Sequence, residues 1–349
     1  MIKTIRDFEF KNKRVLVRCD FDVPLNEKGE ILDDFRIRQA ISTIKYLINE
    51  KAKVILMGHL GRPDGKALEE LRLTPIQNKL MEELDVSITK TQDCIGEEIE
   101  KRTREMAGGD VLLLENLRFH IGEQENDDNF SRELSKLGDI YINNAFANSH
   151  RNHASMTGVP KYLPSAAGLT LEKEIKSLSS LTENPRKPLV AIIGGKKVET
   201  TKLKLINKFS EKGNWVLIGD LVKKALKEKN VELEHPQQII EPVDEVQGKD
   251  IGPKTINIFK EKITKAKTIF WNGPLGLVEK EEFSRGTEEL LKAISESKAF
   301  SVVGGGDTTK VVFRLGLTDK FNHVSTGGGA MLAYLAGEKL PGIEALDKS

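Results

Sequence analysis

The chain reads as an α/β protein of two doubly wound parallel-sheet lobes joined by a helical hinge. Apolar runs of four to six residues alternate with longer segments of helical spacing along the 349 residues, the pattern of parallel strands with crossover helices on both faces. The length exceeds what one ordinary core fills and suggests two domains. Between two strand-helix series, the stretch 155–190 is proline-punctuated and partly helical in spacing, as a connecting segment would be.

In chain order, the expected strands are RVLVRC from Arg14, KVILMG from Lys53, DVLLLE from Asp110 and IYINNA from Ile140 in the first lobe. In the second they are LVAIIGG from Leu189, WVLIGD from Trp215, TIFWNG from Thr268, FSVVGG from Phe300 and HVSTGG from His323. Helical spacing marks RQAISTIKYLINE, TPIQNKLMEEL, TTKLKLINKFSEK and GTEELLKAISES. The expected boundaries are 1–155 for the first lobe, with 330–349 packing back on it, 156–188 for the hinge and 189–329 for the second lobe.

Composition narrows the function. No apolar stretch approaches the roughly 18 residues of a membrane span, and MIKTIRDFEFKNKRV lacks the apolar core of a signal peptide; a cytoplasmic protein with no membrane partner is expected. Two cysteines, Cys19 and Cys94, make neither a disulfide framework nor a zinc site. A net charge of +1 argues against a nucleic-acid partner, yet twelve of the fifteen arginines fall at or before Arg151. The planar guanidinium suits phosphate and carboxylate, so the first lobe is the place for a small anion.

In parallel sheets, ligands sit at the carboxyl ends of the strands. In the first half those ends lead into RCDFDVPL, GHLGRPDG, ENLRFH and NNAFANSHRNH, which put Arg18, Asp20, Arg36, His59, Arg62, Arg118, His150 and Arg151 on loops or helix starts. His120 and His153 read better as satisfied loop or core imidazoles. The second half gives IIGGKKVETTK, FWNGPLG, VVGGGDTTK and VSTGGGA. Glycine corners that lead into helices present free N–H groups to phosphates. Lys197 could neutralise a moving phosphoryl group, and Asp307 could hold Mg²⁺ or cap the helix through Val311 and Val312. A Walker loop is excluded, because Asp307 and Thr308 stand where Lys and Ser/Thr would follow the last glycine. No Ser-His-Asp set, CxxC pair or HExxH helix is present. An anion on one lobe and a nucleotide on the other describe a kinase.

These residues carry a specific likeness. RCDFDVPL, DDFRIR, GHLGRPDG, LLENLRFH, NSHRNH, IIGGKKV, DIGPKTI, FWNGPLGLVE, VVGGGDTTKVV and HVSTGGGA resemble, in order, the motifs of the phosphoglycerate kinase family. The resemblance implies a glycolytic transferase with a carboxylate acceptor: reversible phosphoryl transfer between 1,3-bisphosphoglycerate with MgADP and 3-phosphoglycerate with MgATP, completed by closure of the lobes. By motif position, Asp20, Phe21, Asp22, Arg36, His59, Leu60, Gly61, Arg62, Arg118 and Arg151 would bind phosphoglycerate. Gly195, Lys197, Lys202, Asn272, Pro274, Glu279, Gly305, Gly306, Asp307 and Thr308 would face ATP or ADP. Arg36 and Lys197 would be catalytic, Asp307 would hold Mg²⁺, and a monomer is expected.

The chain departs from the pattern in places. Asp22 stands for the family's Asn: pointing inward it should weaken phosphoglycerate binding, and turned to solvent or paired with an arginine it should change little. Asn144 replaces an Asp, Ala147 a Gly, and Lys196 a small residue. Between Asp220 and Asp250 the chain is shorter than the family, so the second lobe should be trimmed near its nucleotide wall. A binding or regulatory protein that keeps the scaffold without turnover is the alternative these departures raise.

Overall fold

In the computed structural model, which describes residues 2–195, 199–212 and 215–348, the apolar runs become the strands of two six-stranded parallel sheets. The chain divides into two units, residues 1–173 with 339–349, and 174–338. The division falls inside the helix Leu169–Thr182, which runs from one unit into the other.

The first unit holds β1 (Arg14–Arg18), β2 (Lys53–Met57), β3 (Ile88–Lys90), β4 (Val111–Leu113), β5 (Ile140–Asn143) and β6 (Ser165–Ala167) in the order β3-β4-β2-β1-β5-β6. β1 lies between β2 and β5, in register from Val15 opposite Val54 and Ile140. Its faces are covered on both sides, which is why its run is almost unbroken in apolar residues. The helix Phe35–Asn49 buries Ile37, Ala40, Ile44 and Leu47, one stripe at helical spacing. Helix Thr74–Leu84 carries a proline in its first turn and ends in left-handed backbone at Asp85, a favoured start and stop. Residues 339–348 return to this unit: Asn143 Nδ2 donates to the Gly342 carbonyl at 3.0 Å, and Gly342 N to Ser149 O at 2.9 Å.

The second unit holds β7 (Leu189–Ile193), β8 (Trp215–Ile218), β9 (Ile239–Ile240), β10 (Glu245–Val246), β11 (Asp250–Ile251), β12 (Thr268–Asn272), β13 (Phe300–Gly304) and β14 (His323–Val324). Its parallel sheet has the order β14-β13-β12-β7-β8-β9, while β10 and β11 form a separate antiparallel pair. Phe209 stacks on Phe270 at 5.0 Å in the core, and buried Trp271 donates from Nε1 to the Gly273 carbonyl at 2.7 Å.

The nine expected strands all form, and β3, β6, β9, β10 and β11 are additional. β6 lies within the stretch expected as hinge, so part of that stretch belongs to the first sheet. The shortened region between Asp220 and Asp250 folds as the helix Asp220–Glu228, the two-residue edge strand β9 and β10. Asn144 serves as a brace: its Oδ1 accepts from Thr43 Oγ1 at 2.8 Å and from Thr170 N at 3.1 Å. Those are acceptor roles that the Asp it replaces could also fill.

Candidate functional site

Each sheet has one point where the strand order reverses. From β1 the chain moves outward to β2, β3 and β4, then crosses back to β5 on the other side. Loops diverge at such a point and leave a crevice at the strand ends. The segments after β1, β2 and β5 supply most of the expected anion residues. In the second sheet the reversal lies between β7 and β12, where the IIGG and NGPLG corners meet.

At the first point, Arg36 Nη1 lies 3.1 Å from an Asp20 carboxylate oxygen and donates to the Asp22 carbonyl at 3.0 Å. Asp22 turns inward. Its Oδ1 accepts from Gly61 N at 2.9 Å, and its Oδ2 lies 3.7 Å from His59 Nε2. Arg118 donates to the Gly61 carbonyl at 2.7 Å, which ties the turn after β4 to the loop after β2. Asn116 completes that tie, with Nδ2 donating to Leu60 O at 2.8 Å and Oδ1 accepting from Arg118 N at 3.1 Å. Phe21 and Leu60 point into the core and anchor their loops rather than line the cluster.

The cluster is electropositive. Burial, then the charges of Arg18, Arg118 and Arg151, hold His59 well below its ordinary range. Burial, then Arg151 and Arg18, lower Arg118 to about 10. Burial likewise lowers Arg151, whose neighbours by charge include Asp22, Asp20 and Arg62. Two buried donors, His59 Nε2 and Arg118 Nε, have no hydrogen-bond partner. An unpartnered buried donor is costly, and an anion is the kind of group that would satisfy both. His150, by contrast, is exposed, and His153 pairs at 3.7 Å with buried Glu123.

At the second point backbone does the work. Gly194 N donates to Asn272 O at 2.9 Å and Gly195 N to Pro274 O at 2.7 Å. A Cβ on Gly194 would lie 2.2 Å from Pro274 O, and one on Gly273 would lie 2.3 Å from Gly194 O. Lys202 is buried, donates from Nζ to Gly194 O at 2.9 Å, and is lowered by that burial. Gly305, at φ +94°, caps the helix Gly306–Arg314. This corrects the capping reading of Asp307, whose exposed carboxylate meets Lys310 Nζ at 3.1 Å in the first turn. Thr308 is buried with an unpartnered hydroxyl. Glu279 is exposed on the turn after Pro274. Lys197 and Lys196 lie outside the described residues. Buried Glu174 steadies the corner after β14, accepting from Thr326 N at 2.9 Å and pairing with His323 at 2.7 Å.

A further group, Asp93, Cys94 and His120, brings a carboxylate, a thiol and an imidazole within 4.8 Å of one another. His120 Nε2 lies 2.6 Å from Asp93 Oδ1, its ring stacks on Phe130, and burial pushes the Cys94 thiol far up. The group ties the end of β3 to the turn after β4. Sequence reasoning left out Glu123, Ser155 and Asn116, and it set Arg18 on a loop among the anion-binding residues, whereas Arg18 is the buried last residue of β1 and turns to Ser155 and His59. Only Arg18 carried a signal, as a charge inside a buried apolar run.

The fold and its two switch points define a class: α/β proteins of two parallel-sheet units, each with a crevice at the strand ends where its strand order reverses. The phosphoglycerate kinase family model matches residues 5–238 and 220–338, and the chain belongs to that family. It is 42% identical to phosphoglycerate kinase of Dictyoglomus turgidum over 391 aligned positions, covering 99% of this chain and 98% of that one. It is 41% identical to that of Borreliella burgdorferi, with 99% of each covered. Among solved structures, phosphoglycerate kinase from Pyrococcus horikoshii OT3 superposes with a TM-score of 0.88 at 32% identity, covering 99% of this chain and 98% of that chain. That from Coxiella burnetii gives 0.84 at 33%, covering 100% and 99%. An alignment of 391 positions against 349 residues shows that the chain is shorter than this relative, and the family model matches it in two segments that overlap at 220–238. Among the described residues, no helix is long and apolar enough to cross a membrane.

Proposed function

We propose that the protein catalyses reversible phosphoryl transfer between 1,3-bisphosphoglycerate with MgADP and 3-phosphoglycerate with MgATP, as a monomeric glycolytic enzyme of the cytoplasm. The observation that carries this is the partly buried cluster of guanidinium and imidazole groups, with His59 Nε2 and Arg118 Nε buried and unpartnered, at the first switch point, in a chain matching phosphoglycerate kinases end to end. Asp20, Arg36, His59, Gly61, Arg62, Arg118 and Arg151 bind the acid. Arg36 and Lys197 stabilise the phosphoryl group in transit. The acceptor carboxylate is ionised at neutral pH, so the reaction needs no general base, and catalysis comes from positioning and charge.

The nucleotide phosphates take the Gly195 and Gly305–Gly306 corners, the Thr308 hydroxyl and Lys202. Asn272, Pro274 and Glu279 lie along the same edge of the reading. Mg²⁺ enters with the nucleotide. Asp307 offers it a hard oxygen donor, and freeing that carboxylate costs only a surface pair with Lys310.

The test mixes 3-phosphoglycerate, MgATP and hydroxylamine. Accumulation of the acyl hydroxamate is expected, and its absence from folded protein at saturating substrates overturns the reading in favour of a scaffold without turnover. A panel of other phosphorylated carboxylates separates phosphoglycerate from longer or shorter acids. Lys197→Ala should lower turnover far more than affinity.

A further inference from the structure

His59 is held by a residue that the site itself does not use. Arg18, the last residue of β1, is 1% exposed. All three of its nitrogens are engaged: Nε donates to Ser155 Oγ at 2.9 Å, Nη1 to the Cys19 carbonyl, and Nη2 lies 3.0 Å from His59 Nδ1. A guanidinium has donors and no acceptor, and does not deprotonate in a protein. The atom facing it must therefore present a lone pair. That requirement leaves His59 one arrangement, with Nδ1 bare and the proton on Nε2.

The far end of Arg18 is held in turn. Ser155 Oγ accepts from Arg18 and donates to Glu123 Oε1 at 2.6 Å, while Ser155 N donates to Glu123 Oε2 at 2.9 Å. Glu123 is fully buried, so a carboxylate and a guanidinium share the interior through one hydroxyl. Such buried groups persist when every donor and acceptor is matched. The open end of the chain is His59 Nε2, buried without a partner and 3.7 Å from the Asp22 carboxylate.

We propose that Arg18 is a positioning residue for the reaction: it locks His59 in the neutral Nε2–H form, as a fixed hydrogen-bond donor to the anionic substrate, and the Glu123–Ser155 pair holds Arg18 in place. The inference rests on the phosphoglycerate reading for the identity of the acceptor, but the tautomer itself is a property of the free protein. His59 then acts by donation and not by proton transfer. Protonation at Nδ1 would set N–H against N–H and is resisted further by Arg118, Arg151 and His153, while the Asp22 carboxylate lies 3.7 Å from Nε2, on the other side of the ring.

The experiment is long-range ¹H–¹⁵N NMR on the full chain labelled in histidine, without substrate, with His59→Gln used to assign the His59 signals. Expected is a bare Nδ1 and a protonated Nε2, unchanged across the range where an ordinary imidazole titrates. A proton on Nδ1 in the unaltered protein overturns the proposal whether or not any variant folds, and whatever the outcome of the hydroxamate assay. In Arg18→Met, Nδ1 no longer faces a guanidinium, so the His59 signals should show the Nδ1–H tautomer appearing, while burial, Arg118 and Arg151 still hold the imidazole below its ordinary range. The KM for phosphoglycerate should rise about tenfold or more, with the KM for nucleotide within about twofold. Arg18→Lys, which still donates, should recover most of the tautomer. Ser155→Ala should give a smaller KM rise of the same kind. An Arg18→Met protein that keeps the Nε2–H form and an unchanged KM for phosphoglycerate would sink the idea.

Discussion

The cluster on the first sheet is built from side chains, and the corners of the second are built from backbone. In the first, guanidinium and imidazole groups come from the segments after β1, β2, β4 and β5, and Arg36, His59 and Arg118 are each placed by a named partner. In the second, Gly194, Gly195 and Gly273 bring main chain within contact of main chain. The difference decides how each is damaged. A side-chain site loses ligand affinity one group at a time, whereas a backbone corner fails when a Cβ is added where main chain meets main chain, as at Gly194 and Gly273.

Gly273→Ala should break the contrast most severely. Its φ is +85° and the new Cβ would lie 2.3 Å from Gly194 O, so a stability loss of about 3 kcal/mol or more is expected, read from the denaturant midpoint. Arg36→Met should leave the fold intact. Turnover should fall about 100- to 1000-fold while the KM for nucleotide holds, as steady-state kinetics would reveal. Asp22→Asn works the other way. Removing a carboxylate that faces Arg118 and Arg151 should lower the KM for phosphoglycerate, by about tenfold for a partly buried charge.

A pH experiment sharpens the electrostatic half of the comparison. His59 is depressed in the folded state, so the unfolded chain binds the proton more readily. Its contribution to stability is present above the ordinary imidazole value of 6.5 and is lost as pH falls below it, by up to about 1.4 kcal/mol per pH unit until the folded value is reached. His150 is shifted in the same direction. Chemical unfolding between neutral and mildly acid pH should show a shallower slope for His59→Gln than for the parent. Smallest of all is Gly306→Ala. A Cβ there meets nothing within 4 Å, so stability should change by less than about 0.5 kcal/mol, in contrast to Gly273 on the same unit.

Both sheets were legible in the sequence at their centres, and of their four edge strands only β14 was. Central strands are buried on both faces and print as apolar runs, so β1, β2, β7 and β12 stand out. β3 is three residues of mixed polarity, β6 is Ser-Ala-Ala, and β9 is two residues long; an edge strand needs neither length nor hydrophobicity to pair. The site divides the same way. Arginines and glycine corners after strands are visible because residue type alone carries their chemistry. The roles of Arg18, Ser155 and Glu123 are not, since they arise from contacts between residues 137 and 32 positions apart. Asp307 misled because acids favour helix starts in general, whereas here Gly305 takes the cap.

The return of residues 339–348 to the first unit bears on how the polypeptide is made. Gly342 contacts Ser149 and Asn143, but during translation it leaves the ribosome only after all of residues 174–338. The nascent first unit must therefore wait, with Asn143 Nδ2 and Ser149 O lacking these two bonds, while the second unit is synthesised. Folding by order of emergence would finish the second unit before the first. A ribosome-stalled chain ending at residue 338 should accordingly show its first unit less protected from proteolysis than the released protein does.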